Sequence, residues 1–160
     1  MRAFTIDIER IMSETGASLD VDLEWTGEGI ELDRPGTSIA GDIGYKGTIS
    51  NVGGAYAVTG DIATSIEAHC DRCLGTYRLD VKIPITRVFV GTEEGPGGFD
   101  RDDVERLEGH VIDLAPHIRE ELILSLPIRL LCSEGCKGIC PQCGNDLNKG
   151  ECTCGNRIDA

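Results

Sequence analysis

The sequence predicts an α+β fold, mainly antiparallel β, with one main helix packed on the sheet and a small zinc-knuckle region at the C-terminus. Three observations support this prediction. Apolar and polar residues alternate with period two through the first ninety residues. A segment at about 113–126 has helical periodicity instead. Six of the eight cysteines lie between Cys132 and Cys154.

The alternating segments predict strands that each have one face on a core and one face in water. Turn residues separate them at 34–36 and 51–54, and Pro84, which cannot donate to a ladder, predicts a sheet edge. The sheet is expected to curl into a sandwich or an incomplete barrel. The predicted apolar faces comprise Phe4, Ile6 and Ile8; Leu19, Val21, Leu23 and Trp25; Ile39, Ile43, Tyr45 and Ile49; Tyr56, Val58, Ile62, Ile66 and Ala68; and Tyr77, Leu79, Val81, Ile83 and Ile85.

The segment after the strands predicts a loop, a strand and the main helix. Residues 91–100 are rich in Gly, Pro and acidic residues and are typical of a mobile loop, and a strand is expected near Val104–Asp113. Asp113 is the expected N-cap of the helix, and Pro127 ends it. The helix has an apolar stripe that should pack on the sheet and a charged face that should be solvated. The stripe is Leu114, Ile118, Leu122 and Leu126, and the charged face is Arg119, Glu120 and Glu121.

Two domains are expected: a β-rich domain at 1–136 and a zinc-knuckle tail at 137–160. The formal net charge is −13 at pH 7. Four basic residues balance four acidic residues from position 129 onward, so residues 1–128 carry the whole −13. Such a surface repels phosphate backbones and suits a basic partner.

The chain is expected to be cytoplasmic and to have no contact with a membrane. Its N-terminus does not resemble a signal peptide, and no apolar run is long enough to span a bilayer. Disulfides are disfavoured in the cytoplasm, where paired cysteines are typical of metal or redox sites.

The cysteine spacing predicts two zinc ions, each bound by four cysteines. In a C-x-x-C pair, both sulfurs can bind the same ion. A short polar tail without its own hydrophobic core needs a bound ion to stabilise its fold. Iron is a minor alternative to zinc. One predicted group is Cys70, Cys73, Cys132 and Cys136; the other is Cys140, Cys143, Cys152 and Cys154.

Other assignments of the first group stay open at this stage. Its members could be free thiols, or Cys132 or Cys136 could belong to the second group. Histidine also binds zinc, so a cysteine ligand could be replaced by one of the three histidines, His69, His110 and His117. We expect His69 to lie on the polar face of its strand and His117 to be exposed or next to the helix cap.

Three motifs occur in one order: CDRCL, IDLAPHIREELILSLP and LCSEGCKGICPQCGNDLNKGECTC. In these motifs the chain resembles the YceD-like family of bacteria and plastids, described as large ribosomal RNA subunit accumulation proteins. The resemblance runs from about Ile66 to Cys154, and the N-terminal third matches only as strand-rich sequence. It places the family's metal-binding motif on all eight cysteines. Some relatives keep only the first group, which favours two separate sites.

The resemblance implies a non-enzymatic, zinc-binding factor that supports large-subunit (23S) ribosomal RNA accumulation and ribosome biogenesis. A ribosomal protein or a pre-ribosomal particle is the expected partner. Direct RNA binding is not indicated, because the chain has only seven aromatic residues to stack bases. The one locally basic stretch is expected to be a solvated strand face; it contains Arg72, Arg78, Lys82 and Arg87.

Two other function classes are considered. A thiol-based redox switch or thiol enzyme would use the zinc-bound cysteines, and Arg72 is the cation that could activate them. Hydrolytic zinc chemistry is disfavoured, because it needs an open coordination position that all-cysteine sites lack.

Overall fold

The computed structural model describes residues 4–91 and 104–154. Apart from Gly91, the loop predicted at 91–100 lies outside the described residues. The elements are β1 (Thr5–Asp7), α1 (Glu9–Met12), β2 (Ser18–Thr26), β3 (Thr37–Ile39), β4 (Asp42–Asn51), β5 (Ala55–His69), β6 (Thr76–Val90), β7 (Val104–Arg106), β8 (Val111–Asp113) and α2 (Ala115–Ser125).

Six strands form one main sheet in the order β2-β4-β5-β6-β7, and β3 pairs with β5 beyond the end of β4. Every pairing in it is antiparallel except that of β6 with β7. The sheet is curled like half a barrel, so the incomplete-barrel form of the predicted fold is confirmed.

The longest feature of the sheet is the hairpin of β5 and β6. Each strand has fifteen residues, and the two pair from Ala55↔Val90 to His69↔Thr76. At Pro84, β6 pairs with β5 alone, because β7 joins it only at Val88–Val90. The missing N–H of Pro84 therefore falls on an open edge, as the sequence predicted.

The inner face of the curled sheet forms the core. Fully buried side chains from β4 and β5 lie at its centre, which confirms the predicted faces; they are Ile43, Tyr45, Ile49, Val58, Ile62 and Ile66. Burying an aliphatic side chain of this size contributes about 1.5–3 kcal/mol. Leu23, which was predicted on a buried face, is 41 % exposed because β2 is the terminal strand of the sheet.

The single strand predicted near Val104–Asp113 is instead two short strands that serve different sheets. β7 extends the main sheet, and the N–H of Leu107 donates to the Val90 carbonyl at 2.8 Å. Gly109, with φ +75°, then turns the chain, and β8 pairs with β1 in a separate two-stranded sheet. A left-handed residue in the middle of the segment is incompatible with one continuous strand.

Helix α2 lies inside the range predicted for it. The N-cap is Leu114 rather than the predicted Asp113, and it makes no side-chain cap hydrogen bond. The Asp113 carboxylate, one residue earlier, accepts the N–H of Ala115 at 3.0 Å. Its apolar stripe packs on the core as predicted: Leu114, Ile118 and Leu122 are fully buried, and Leu126 is partly buried.

The charged face of α2 is more than a solvated surface. Arg87 on β6 contacts Glu120 at 3.1 Å and Glu121 at 2.7 Å. Arg119 donates to the Glu31 carbonyl at 2.9 Å. These contacts tie the helix to β6 and to the segment between β2 and β3, a role that helical periodicity alone does not reveal.

Candidate metal centres

The first cysteine group begins at the tip of the β5–β6 hairpin. Cys70 follows β5, its N–H donates to the Gly75 carbonyl at 2.9 Å, and its carbonyl accepts the N–H of Leu74 at 2.9 Å. This tight turn places the sulfurs of Cys70 and Cys73 side by side, so each can face a common ion.

The exit of α2 supplies the other half of the group. Asp71 accepts the N–H of Leu130 at 2.8 Å through its carboxylate, and its own N–H donates to the Leu130 carbonyl at 2.7 Å. Arg34 adds a contact to Asp71 at 3.3 Å and donates to the carbonyls of Pro127 and Ile128. Together these bonds hold the chain that leads to Cys132 against the hairpin tip.

The distances within the first group fit a tetrahedral metal–thiolate site. The sulfurs of Cys70 and Cys136 lie 3.7 Å apart, as do those of Cys73 and Cys132. Zinc–sulfur bonds of about 2.3 Å place neighbouring sulfurs of a tetrahedron about 3.8 Å apart. Cys70 and Cys136 are buried, whereas Cys132 is exposed.

The second group is formed by Cys140, Cys143, Cys152 and Cys154. All four sulfurs lie within 4.8 Å of one another, as do the four sulfurs of the first group. The N–H of Cys140 donates to the Asn145 carbonyl at 2.8 Å, and its carbonyl accepts the N–H of Gly144 at 2.8 Å. Each of the two cysteine tetrads could therefore hold one metal ion.

The two C-x-x-C turns have the same backbone hydrogen-bond pattern but differ in one residue. In each turn, the residue after the second cysteine has a left-handed backbone: Gly144 with φ 72° and Leu74 with φ 59°. Glycine adopts this conformation without steric cost, whereas leucine is strained there. The Leu74 side chain is also exposed, at 65 %.

In each tetrad, backbone N–H groups stabilise the thiolate form of one cysteine and so lower its pKa. Burial raises the pKa of the Cys70 thiol, but N–H groups of Cys132, Cys73 and Arg72 outweigh burial and lower it to about 6. N–H groups of Cys143 and Gln142 lower the pKa of Cys140 to about 6.

In each tetrad another thiol has a pKa that is shifted in the opposite direction. Hydrogen bonding to Cys136, followed by burial, raises the pKa of Cys132 to about 12. The corresponding contact with Cys143 raises the pKa of Cys154 to about 12. Four sulfur anions so close together repel one another, and a divalent cation between them relieves that repulsion.

The part of the chain that carries these tetrads matches a known family model. The model is described as Large ribosomal RNA subunit accumulation protein YceD and matches residues 58–160. The chain belongs to the YceD family. The match begins on β5, slightly before the first motif, and includes both cysteine tetrads.

Individual YceD relatives include proteins from bacteria and plants. An uncharacterized protein of Mycobacterium tuberculosis is 29 % identical over 143 residues, which is 89 % of this chain and 58 % of the relative. The chain thus spans less than two thirds of the length of that relative. A chloroplastic Large ribosomal RNA subunit accumulation protein YCED homolog 1 of Arabidopsis thaliana is 46 % identical over 44 residues, 28 % of this chain and 14 % of the relative. The uncharacterized protein YlbN of Bacillus subtilis is 44 % identical over 71 residues, 44 % of this chain and 39 % of the relative. No solved structure matches the chain.

The histidines of this YceD protein lie outside both tetrads. His69 is exposed, as expected. His117 is buried at 8 % exposure rather than exposed, because it faces Phe89 across the contact between α2 and β6. His110 lies close to Asp7 and Glu9 in a third group, and all three residues are exposed.

The locally basic stretch is engaged within the chain. Arg72 donates to the Cys136 carbonyl at 3.0 Å, Arg78 to the Ala40 carbonyl at 3.2 Å, and Lys82 pairs with Asp61 at 3.1 Å. With Arg87 bound to two glutamates, these residues do not form a free cationic surface. In the described ranges, no helix is long and apolar enough to cross a bilayer.

The residues that support the tetrads from outside were not predicted from the sequence. Arg34 and Asp71 hold the helix exit, and Asn148 donates from its side-chain amide to the Cys136 sulfur at 3.4 Å. An Asn or Asp within a cysteine-rich stretch is a weak signal for this role, since these residues are equally typical of turns.

Proposed function

We propose that this chain is a non-enzymatic, zinc-binding cytoplasmic factor that supports accumulation of large-subunit (23S) ribosomal RNA. The observation that carries the proposal is the YceD family match, which includes both cysteine tetrads. The names of the plant relatives refer to the same process.

Zinc is the metal proposed for both tetrads, with iron as the alternative. A four-thiolate donor set at tetrahedral spacing suits zinc, and its closed coordination suits a structural ion rather than a catalytic one. In this proposal the first ion stabilises the domain at 1–136, and the second ion stabilises the fold of the tail at 137–160.

The proposed partner is a basic ribosomal protein or a pre-ribosomal particle. Residues 1–128 carry the whole formal charge of −13, and the locally basic residues already bind acidic groups or carbonyls of the chain. Phosphate backbones need free cations, whereas an acidic surface suits a basic protein.

A complementation experiment tests the role in RNA accumulation. In a strain that lacks this gene, the wild-type chain should restore the ratio of 23S to 16S ribosomal RNA. A chain with Cys70→Ser and Cys73→Ser should not restore it, while His69→Gln, on the exposed surface, serves as a matched control. An unchanged RNA ratio in the deletion strain would contradict the proposal.

The kind of partner is tested by affinity purification with and without nuclease. Large-subunit proteins should stay bound after nuclease treatment if the contact is with protein. Loss of all binding with nuclease, together with salt-dependent binding of naked RNA, would overturn this part of the proposal.

The thiol-switch alternative receives less support from the geometry. Arg72, the expected activating cation, donates its guanidinium to the Cys136 carbonyl and influences Cys70 through its backbone N–H. Retention of zinc after mild peroxide treatment would argue further against a switch.

A further inference from the structure

The outer edge of β6 is open along most of its length. On one side, β6 pairs with β5 from end to end; on the other side, β7 pairs with it only at Val88–Val90. Among the described strands, none pairs with this edge between Thr76 and Arg87. An open edge presents a row of backbone N–H and C=O groups to which another extended chain can bond.

The backbone groups on this edge belong to every second residue of β6. The Val90 carbonyl accepts the N–H of Leu107 on the side of β7, so it points away from β5. Bonded and non-bonded pairs alternate along an antiparallel ladder, so the even-numbered residues of β6 share this direction. Pro84 is one of them, and it has no N–H to donate. The part of the edge that can bond fully therefore runs from Thr76 to Lys82.

The side chains along this part of the edge carry charges of alternating sign. Arg78, Asp80 and Lys82 follow one another on the exposed face of β6. Each of them makes one contact within the chain, on the side of the sheet where β5 lies. Such contacts between exposed groups contribute little to stability, so they leave the charges able to meet a second partner. A row of one sign would repel a second copy of the strand, whereas an alternating row can match it.

The charges decide between the registers in which two copies of β6 can pair antiparallel. A register centred on a charged residue places that charge opposite its own copy, which is destabilising. A register centred on Val81 matches Asp80 with Lys82, but it places Pro84 opposite Arg78. The missing N–H of proline then interrupts the ladder inside the paired segment.

The register centred on Leu79 suits both the backbone and the side chains. It places Arg78 of each copy opposite Asp80 of the other, so two opposite-charge pairs form about one two-fold axis. On the other face of the strand, it places Tyr77 opposite Val81. Tyr77 and Leu79 are only half-buried in a single chain, so the pairing removes apolar surface from water.

We propose that a second copy of this chain binds along the open edge of β6, antiparallel to the first and in the register centred on Leu79. The two main sheets then continue into each other through their β6 strands. The paired segment is short, so the dimer is weak and its population depends on protein concentration. The inference goes beyond the proposed function and does not depend on it.

Sedimentation velocity of the full chain, loaded with zinc, tests the association. The average mass should rise from that of one chain towards that of two as the protein concentration increases from about 1 μM to about 1 mM. The salt concentration is set to about 0.15 M, where a Debye length of about 8 Å screens the repulsion between two acidic chains. A chain that stays monomeric at the highest concentration would overturn the inference.

Charge variants test the register. Arg78→Asp and Asp80→Arg each place like charges opposite each other, so each variant alone should associate at least about tenfold more weakly than the wild type. In an equimolar mixture of the two variants, the heterodimer regains both opposite-charge pairs and should associate like the wild type. A variant that merely damaged the fold would not be rescued in this way.

The matched control is Glu24→Arg, which makes the same change of charge as Asp80→Arg at an exposed position of β2, the strand at the opposite end of the sheet. This variant should associate like the wild type. If Arg78→Asp alone dimerises at wild-type strength, or if the mixture of variants fails to associate, the second copy does not bind in this register and the proposal is wrong.

Discussion

The side-chain amide of Asn148 donates a hydrogen bond to the Cys136 sulfur at 3.4 Å, although the two residues belong to different cysteine turns. The same side chain accepts the N–H of Lys137 at 2.8 Å and donates to Asp146 at 2.8 Å. The loop that closes the second tetrad therefore also supports a sulfur of the first.

Replacing Asn148 with alanine should weaken metal binding at the first tetrad. The Cys136 thiolate loses a hydrogen-bond donor, and loss of such an outer contact typically lowers metal affinity about 10–100-fold. Competition with a chromophoric chelator would measure the effect. Asn145→Ala is the control in the same loop, because only the backbone carbonyl of Asn145 is used in the turn. Equal affinity in the two variants would contradict the coupling.

Removing one C-x-x-C pair should remove one metal ion. The wild-type chain should carry two zinc ions by native mass spectrometry, and Cys70→Ser with Cys73→Ser should carry one. The matched variant, Cys140→Ser with Cys143→Ser, should also carry one but retain the contacts between the hairpin tip and Leu130. Loss of both ions from either variant would disprove the independence of the two tetrads.

Leu74→Gly should stabilise the protein. Glycine relieves the left-handed strain at φ 59°, but it also gives the unfolded chain more conformational freedom, which opposes folding. Because the relief of strain is the larger effect, we expect the free energy of unfolding to rise by about 0.5–1 kcal/mol. The reverse change, Gly144→Leu, should lower it by a similar amount, since a Cβ at Gly144 meets no other atom within 4 Å and only strain is added. Denaturant unfolding with excess zinc would measure both changes. A loss of stability in Leu74→Gly would show that Leu74 makes a contact that outweighs its strain.

His117 should make folding stability depend on pH. Burial holds its pKa in the folded chain below the ordinary 6.5, so the unfolded chain takes up a proton first as the pH falls. The wild type should therefore lose stability below about pH 6.5, relative to its value at pH 7.5. The charged groups that influence the ring are Glu105, Arg87, Glu120 and Asp113.

The control for this pH effect is His117→Gln, measured across the same range with equal zinc. Loss of metal in acid affects both proteins, so the difference between their unfolding free energies isolates His117. Parallel curves for the two proteins would show that the imidazole does not titrate differently on folding.

The central strands and α2 were predictable because their signals are local. Apolar and polar residues alternate along the strand that contains Ile62 and Ile66, which indicates a buried face directly. The spacing of four residues between Ile118 and Leu122 does the same for the helix. The two cysteine groups also lie together as their spacing predicted, since C-x-x-C turns have few ways to share an ion. The strands, the helix and each C-x-x-C turn depend on residues close together in the chain, whereas the first cysteine group also joins Cys70 to the distant Cys136.

The missed features depend on contacts between distant segments. Leu23 has the pattern of a buried strand residue, but only the strand order shows that β2 is an edge. Burial of His117 requires knowledge that Phe89 lies opposite, and the division of 104–113 follows from the separate pairing of β8 with β1. The support of Cys136 by Asn148 likewise exists only after the tail folds back.

The position of the first tetrad also sets an order of events during synthesis. Its sulfur pairs join residues 66 and 59 positions apart, whereas the β5–β6 hairpin forms between neighbouring segments. At about 5–20 residues per second, the ribosome needs roughly 3–12 s to pass from the first pair of ligands to the second. During that interval the hairpin carries an open dithiol at its tip. All four ligands of this tetrad therefore come together only in a chain translated beyond helix α2, so a metal ion could complete its coordination there only late in synthesis.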